Sequence, residues 1–237
     1  MAELYCDDCL NIMSKLPENS IDMIFTDLPY GTTQNVWDKV IDFEMLWDCY
    51  KRVIKENGCI ALFAQFPFDK ILACSNLKWF RYEWIIVKKH STGFLNANKM
   101  PLKAHEFILI FYKHLPKYHP IKMTGFDPVH SYTKKTPDGP NYGKTKLELS
   151  GGGNTDRFPI DILNVSWDTQ KMAYHPQQKP YGLCKYIIQI YTDKDDVILD
   201  NCMGSGTIGV AAENLNRSYI GIEKEKCFYE IAKKRIG

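Results

Sequence analysis

The sequence predicts an α/β fold in which a mostly parallel sheet carries helices on its faces. Short apolar runs rich in β-branched residues alternate with segments whose apolar residues recur at helical spacing. Two of these runs, 21–26 and 197–199, are followed directly by an aspartate and then by a turn. Ligands of open α/β sheets bind at the carboxyl ends of the strands, so Asp27 and Asp200 are candidate site residues.

Composition narrows the class of protein. The 237 residues are 45% hydrophobic, enough for one domain with a sizeable core and an inserted lobe. The net charge of +2 is mild, so a nucleic-acid-binding face has to come from local clusters of basic residues. The acidic start and the lack of an apolar run of about eighteen residues predict a soluble, cytoplasmic protein with no membrane partner.

The eight cysteines lie in hydrophobic contexts, which is typical of a reducing cytosol and not of a disulfide framework. Cys6 and Cys9 form a C-x-x-C pair. No second pair with zinc spacing follows them, so we expect no metal site.

The first half of the chain is predicted to contain five strands and three helices. The strands are expected at 4–6, 21–26, 59–64, 82–87 and 107–112. The helices are expected at 11–16, 43–55 and 67–74, with Gly58 ending the second of them.

Between the last two of these strands, residues 88–106 are predicted to form a loop, because the segment contains Gly93, several asparagines and Pro101. Its basic residues make it a candidate phosphate-facing loop, and an ordinary solvated loop is an equally good interpretation. The candidate DNA-binding residues here are Lys88, Lys89, Lys99 and Lys103.

The stretch 113–157 has a different composition, with recurring prolines and glycines and no periodicity. Basic residues outnumber acidic ones there and are interleaved with tyrosines, which is typical of a nucleic-acid contact region because cations bind phosphate and aromatic rings stack on bases. A flexible surface insertion is the alternative. The candidate DNA-binding residues here are Lys134, Lys135, Lys144, Lys146 and Arg157.

The last third of the chain is predicted to return to the sheet. Strands are expected at 160–167, 197–199 and 219–222, and helices at 181–191 and 208–215. A glycine-rich bend at 204–207 lets the backbone approach a ligand closely. Glu223, at the end of the following strand, is placed to accept the hydroxyls of a ribose, whether in adenosylmethionine or in NAD.

The tetrapeptide Asp27-Leu28-Pro29-Tyr30 suits chemistry on the exocyclic amine of a nucleobase. Such an amine is a poor nucleophile until acceptors localise its lone pair, and a carboxylate with a neighbouring backbone carbonyl can supply them. Tyr30 offers a flat face on which a base can stack. A strand-to-turn junction without catalytic function is an equally good interpretation of the tetrapeptide alone.

Three motifs resemble those of S-adenosylmethionine-dependent amino-methyltransferases of DNA. The tetrapeptide resembles the D-P-P-Y catalytic motif, with Leu28 at the first proline. Residues 175–180, HPQQKP, are similar to the H-P-x-Q-K-P element before the donor-binding helix. Residues 200–207, DNCMGSGT, resemble the donor motif D-P-F-x-G-S-G-T, with Asn201 and Cys202 replacing proline and phenylalanine. The order of the motifs is that of the beta group.

This resemblance implies a Rossmann-like class I methyltransferase sheet of seven strands with an antiparallel hairpin at one edge. It implies a catalytic half at 1–113, an inserted target-recognition lobe at 114–174 and an adenosylmethionine-binding half at 175–237. The implied cofactor-binding residues are Asp8, Lys179, Asp200, Asn201, Cys202, Gly204, Ser205, Gly206, Thr207 and Glu223. The implied catalytic residues are Asp27, Leu28, Pro29 and Tyr30.

The implied reaction is methyl transfer to N6 of a flipped-out adenine in DNA, with no metal. Asp27 favours adenine, since relatives that act on cytosine N4 often carry serine there; cytosine N4 is the second candidate. An RNA substrate and a non-catalytic nucleic-acid-binding partner subunit are further alternatives. The oligomeric state is open. Beta-group enzymes often pair through the sheet body, so the resemblance makes a homodimer a candidate.

Overall fold

The computed structural model describes residues 1–33, 35, 38–135, 148–165 and 178–237. These residues divide into two compact units. The larger unit contains Met1–His119 and Asp161–Gly237, and the smaller unit contains Pro120–Ile160.

Strands and helices alternate through most of the described chain. The strands are β1 (Ala2–Tyr5), β2 (Ile21–Thr26), β3 (Ile54–Ala64), β4 (Phe80–Thr92), β5 (Lys103–Phe111), β6 (Tyr132–Thr133), β7 (Ser150–Gly151), β8 (Ile162–Val165), β9 (Val197–Asp200) and β10 (Ser218–Ile222). The helices are α1 (Cys9–Met13), α2 (Phe43–Val53), α3 (Phe68–Ser75), α4 (Tyr181–Tyr191), α5 (Thr207–Asn214), α6 (Lys226–Ile236) and a short 3-10 helix (Phe94–Asn96).

The larger unit is built on one sheet with the strand order β1-β10-β9-β2-β3-β5-β4-β8. β5 runs antiparallel to β3 and β4, and the other neighbouring pairs are parallel. The predicted fold class is confirmed. The resemblance implies seven strands, which is one too few. The strand expected at 160–167 is β8, which pairs with β4 and is the eighth strand of the described sheet, beyond the β4–β5 hairpin.

Helices cover both faces of this sheet. Met23 and Phe25 of β2 pack in one buried cluster with α4, α5 and α6. Ile24, between them, packs on the opposite face with α1, α2 and α3. A strand buried on both faces has no polar side, which explains the apolar run at 23–25 in this strand.

Three elements differ from the sequence-based expectation. The loop predicted at 88–106 is shorter, because β4 continues to Thr92 and pairs there with Lys103 of β5. Gly58 lies inside β3 and does not end α2, which stops at Val53. The helix α6 has no counterpart in the prediction.

The smaller unit holds the two-stranded sheet β6–β7 and a bridge between Met123 and Arg157. The Arg157 guanidinium donates to the backbone carbonyls of Asp127, Asn154 and Asp156 at 2.6, 3.0 and 2.8 Å. This unit lies inside the predicted insertion 114–174, whose role in target recognition stays a prediction.

Candidate active site

A cavity of about 470 Å³ opens at the edge of the sheet where the parallel strands end. The loops that follow β1, β2, β9 and β10 each contribute an acidic or polar side chain to its wall. Because the carboxyl ends of parallel strands meet at one edge, residues far apart in sequence share this cavity. The wall includes Asp8, Asp27, Asp200 and Glu223.

The tetrapeptide 27–30 forms the loop after β2. The Tyr30 hydroxyl donates to Oδ1 of Asp27, and the Lys179 ammonium lies 2.8 Å from Oδ2 of the same carboxylate. The Tyr30 ring packs at 5.0 Å against Phe68. Leu28 is buried in the core, so its side chain anchors the loop. The structure thus brings all four predicted catalytic residues to the cavity.

Lys179 belongs to a chain of alternating charges that leads away from the cavity. Its ammonium lies 3.7 Å from Oε2 of Glu106, whose other oxygen forms an ion pair with Lys88. Lys179 and Glu106 are both buried. A buried charge is costly unless it is paired. Lys179, Glu106 and Lys88 each have an opposite charge beside them.

The protonation states in this chain follow from the balance of burial and charge. Burial alone would lower the pKa of Lys179, but the carboxylates of Asp27 and Glu106 outweigh it and raise that pKa. Burial alone would raise the pKa of Glu106, but Lys179 and Lys88 outweigh it and lower that pKa. Both groups are therefore charged at neutral pH.

One expectation changes here, and one residue is added to the site. The sequence predicts a phosphate-facing Lys88, but the structure buries its side chain against Glu106. Glu106 was missed by sequence analysis. Its role depends on the register of β4 against β5, which pairs Ile86 with Glu106, and that register follows from long-range pairing.

The loop after β9 is held from three directions. Asp200 is buried and accepts hydrogen bonds from the Thr26 hydroxyl at 2.8 Å, the Tyr219 hydroxyl at 3.1 Å and the Cys202 amide at 3.3 Å. Burial raises the pKa of Asp200 to about 7. Oδ1 of Asn201 accepts from the Tyr50 hydroxyl at 2.7 Å, so the residue that replaces the family's proline ties this loop to α2.

The glycine bend connects this loop to α5. The Gly204 amide donates to Glu223 at 2.8 Å, and Gly204 and Gly206 have φ values of +51° and +78°, which side chains rarely tolerate. The Arg235 guanidinium of α6 hydrogen-bonds Ser205 and Thr207. Helix α6, which the sequence did not predict, therefore holds the glycine bend in place.

Asp8 caps the amino end of α1. Its Oδ1 accepts from the Leu10 amide at 3.0 Å, and its Oδ2 lies 3.3 Å from the Lys224 ammonium. This places the carboxylate at the wall of the cavity, as the predicted contact with the donor requires.

Asp38 is a further residue that sequence analysis missed. Its buried carboxylate accepts from the amides of Gly31, Thr32 and Thr33 at 2.8, 3.0 and 2.7 Å. Burial alone would raise the pKa of Asp38, but a hydrogen bond from the Thr33 side chain and these amide hydrogen bonds outweigh burial and lower that pKa. Asp38 thus orders the backbone directly after the catalytic tetrapeptide. An aspartate seven residues after a glycine gives no sequence signal for this role.

The remaining DNA-binding candidates have different surroundings. Lys89, Lys99 and Lys135 are exposed, and the Lys103 ammonium donates to the Phe66 carbonyl at 3.2 Å. Arg157 holds the smaller unit together, as described above, and Lys134 lies in that unit. Lys144, Lys146 and residues 175–177 lie outside the described residues.

The described residues contain neither a metal-binding cluster nor a membrane-spanning helix. No group of three or more His, Cys, Asp or Glu side chains is arranged there to hold a metal ion. No helix there has the length and apolar character needed to cross a membrane.

The cavity fits S-adenosylmethionine. The donor carries a sulfonium and an ammonium, and the wall offers several carboxylates to them. A Cβ built on Gly204 would meet nothing within 4 Å, so the backbone at the bend faces open space. A cofactor can approach the main chain closely there.

Comparisons with known proteins agree with this geometry. The sequence profile of the DNA methylase family N6_N4_Mtase matches residues 21–234. The chain is 30% identical to the Type II methyltransferase M.HpaI of Haemophilus parainfluenzae, over 98% of this chain and 73% of that protein. It is 28% identical to the DNA adenine methyltransferase YhdJ of Escherichia coli strain K12, over 97% of this chain and 80% of that protein.

The chain belongs to this family of DNA methylases. The solved complex of M1.HpyAVI with SAM superposes with a TM-score of 0.65 and 27% identity, and each chain is covered completely. The predicted family, enzyme class and cofactor are confirmed: the protein is a DNA methyltransferase that uses S-adenosylmethionine.

Proposed function

We propose that this methyltransferase modifies N6 of adenine at a specific DNA sequence. The observation that carries the proposal is the position of Asp27 and Tyr30 in one cavity with the glycine bend after β9. One loop of that cavity suits an exocyclic amine and the other suits a methyl donor, so nucleophile and electrophile meet between them.

The catalytic loop acts by positioning the amine. Asp27 accepts one N6–H and the Leu28 carbonyl accepts the other, which localises the nitrogen lone pair on the side of the methyl group. A carboxylate has about four acceptor sites, so Asp27 can take the amine while Tyr30 and Lys179 remain bound to it. The base stacks on Tyr30, an interaction worth about 1–3 kcal/mol.

The donor half of the cavity orients the methyl group. Bound S-adenosylmethionine supplies an electrophilic methyl and a thioether leaving group. Asp8 and Glu223 would hold its adenosine, and the backbone at 204–207 would lie against it. Asp200, Asn201 and Cys202 shape the floor, and Lys179 joins the two halves through Asp27. Rate comes from orientation and fixed charges, with no covalent enzyme intermediate.

Two features favour adenine over cytosine. Position 27 is an aspartate, and one relative is named a DNA adenine methyltransferase. Cytosine N4 is the second candidate, because the family name covers both N6 and N4 enzymes.

Modification sequencing of DNA from cells that express the protein tests this proposal. We expect N6-methyladenine in one short sequence with the wild type and a loss of at least about a hundredfold with Asp27→Asn, which keeps the shape but removes the charge. Asp48→Asn is the matched control, because Asp48 is an exposed aspartate of α2.

The other outcomes of this experiment have distinct meanings. N4-methylcytosine would replace adenine by cytosine as the target. No modified DNA base with any variant, despite binding of S-adenosylmethionine, would contradict the proposal and favour an RNA substrate or a non-catalytic partner role.

Several further properties belong to the proposal. The basic residues of 114–174, the exposed Lys89 and Lys99, and the half-buried Lys103 contact DNA phosphates. The enzyme acts in the cytoplasm on a short recognition site, either as an orphan methylase or beside a restriction enzyme, and sedimentation would detect a homodimer.

A further inference from the structure

The tip of the β4–β5 hairpin, residues 93–102, exposes an unusual amount of apolar surface. Leu95 is 97% exposed, Phe94 81% and Met100 53%. Phe94 and Leu95 are adjacent and sit on the 3-10 helix. Single exposed apolar residues are common, but a contiguous group on a projecting tip indicates a surface that something covers.

The charge around this tip favours an anionic partner. No acidic residue occurs between Glu83 and Glu106, whereas Lys99 lies in the tip and Lys89 and Lys103 flank it. A patch that is apolar at its centre and cationic at its rim matches a nucleic-acid duplex, which offers phosphates outside and stacked bases inside.

The tip also lies at the catalytic edge of the sheet. β4 and β2 both run parallel to β3, so β4 ends at the same edge as the Asp27 loop. Lys88 of β4 is linked to Asp27 through Glu106 and Lys179, and the strand continues for four residues beyond Lys88. The hairpin therefore projects past the catalytic carboxylate.

A hydrogen bond fixes one flank of the tip. The Lys103 ammonium donates to the carbonyl of Phe66, in the loop after β3. Phe66 is itself 61% exposed, so it extends the apolar surface from the tip to the loop after β3.

We propose that Phe94 and Leu95 insert into the DNA base stack and fill the space that the flipped target base leaves. The inference rests on the proposed function, since it requires a base to leave the duplex. Extrusion unstacks a base pair, and apolar side chains that enter the gap stabilise the open form. The two residues are positioning residues that contact DNA and not the reacting atoms.

The test compares two synthetic duplexes that carry the methylation site mapped by sequencing, one fully paired and one with the target base mispaired. On the paired duplex, Phe94→Ala/Leu95→Ala should reduce the rate of methylation about tenfold or more. On the mispaired duplex the loss should largely disappear, because little extrusion cost remains. Leu77→Ala/Leu115→Ala is the control; these exposed leucines precede β4 and follow β5, at the opposite end of the same hairpin.

Each alternative result overturns the inference in a different way. An equal loss on both duplexes would make the tip a general DNA contact. Wild-type rates for the variant on the paired duplex would remove any role in flipping. A change in sedimentation without DNA would assign the tip to a contact with a second copy of the chain. If the wild type methylates neither duplex, the proposed function itself fails.

Discussion

Glu106 is the residue whose role most depends on its neighbours. It stands between two lysines in a buried setting, and one of them holds the catalytic carboxylate at 2.8 Å. Removing one member of a buried ion pair leaves an uncompensated charge, whereas removing one member of an exposed pair leaves a charge that water solvates. This protein contains a buried pair and an exposed pair, so the effects of breaking each can be compared.

Replacing Glu106 by glutamine should destabilise the protein and slow catalysis. We expect a loss of about 3 kcal/mol in the free energy of unfolding, measured with urea, because Lys88 and Lys179 lose their shared counter-charge. Glu56→Gln is the control, since Glu56 pairs with Lys113 and His114 on the surface, and it should change stability little.

The same variant distinguishes positioning from simple packing. With one carboxylate fewer beside it, Lys179 has a lower pKa, so the alkaline fall of kcat should begin at a lower pH in Glu106→Gln. An unchanged pH profile together with lost stability would make Glu106 a purely structural residue.

The elements show which parts of the fold can be predicted from sequence. β2 and α4 have the predicted bounds, because β2 is an apolar run that ends at an acid and α4 is an amphipathic segment preceded by Pro180. The outer part of the β4–β5 hairpin was missed because its residues are polar and only cross-strand pairing makes them a strand. The clamp that α6 places on the glycine bend depends on tertiary contact, which local pattern does not contain.

The two glycines of the bend separate backbone strain from packing. A Cβ on Gly206 would lie 2.7 Å from Cδ1 of Ile236 and 3.0 Å from Cβ of Ala232, whereas a Cβ on Gly204 would meet nothing within 4 Å. Both have positive φ, so an alanine is strained at either position. Gly204→Ala should cost about 1 kcal/mol of unfolding free energy, and Gly206→Ala should cost about 1–3 kcal/mol more because α6 must move.

Urea unfolding of the two variants measures this difference. Gly182→Ala, near the start of α4, is the control, because Gly182 has no positive φ and its Cβ meets nothing within 4 Å. Equal losses for the two bend variants would mean that α6 does not constrain the bend.

At the scale of the whole molecule, the direction of the strands concentrates acidic groups at one edge. Asp8, Asp27, Asp200 and Glu223 come from four different strand ends and share one cavity wall. Burial raises the pKa of Asp200 to about 7 and also raises that of Glu223. The fold thus buries acids whose ionised forms would be favoured in water. A cationic donor in the cavity compensates for the cost of burying them.

The stability of the ligand-free protein should therefore depend on pH through Asp200. An unfolded chain releases this proton near 3.8, and the folded protein keeps it until about 7. Between these values the unfolded state binds fewer protons, so the contribution of Asp200 to stability falls as pH rises, by at most about 1.4 kcal/mol per pH unit.

The difference in unfolding free energy between wild type and Asp200→Asn should fall across this window and stay level above it. Carbon-13 NMR of the Asp200 carboxyl measures its pKa in the folded protein directly. A pKa near 4 would contradict the argument, because it would mean that the hydrogen bonds from Thr26, Tyr219 and Cys202 outweigh burial.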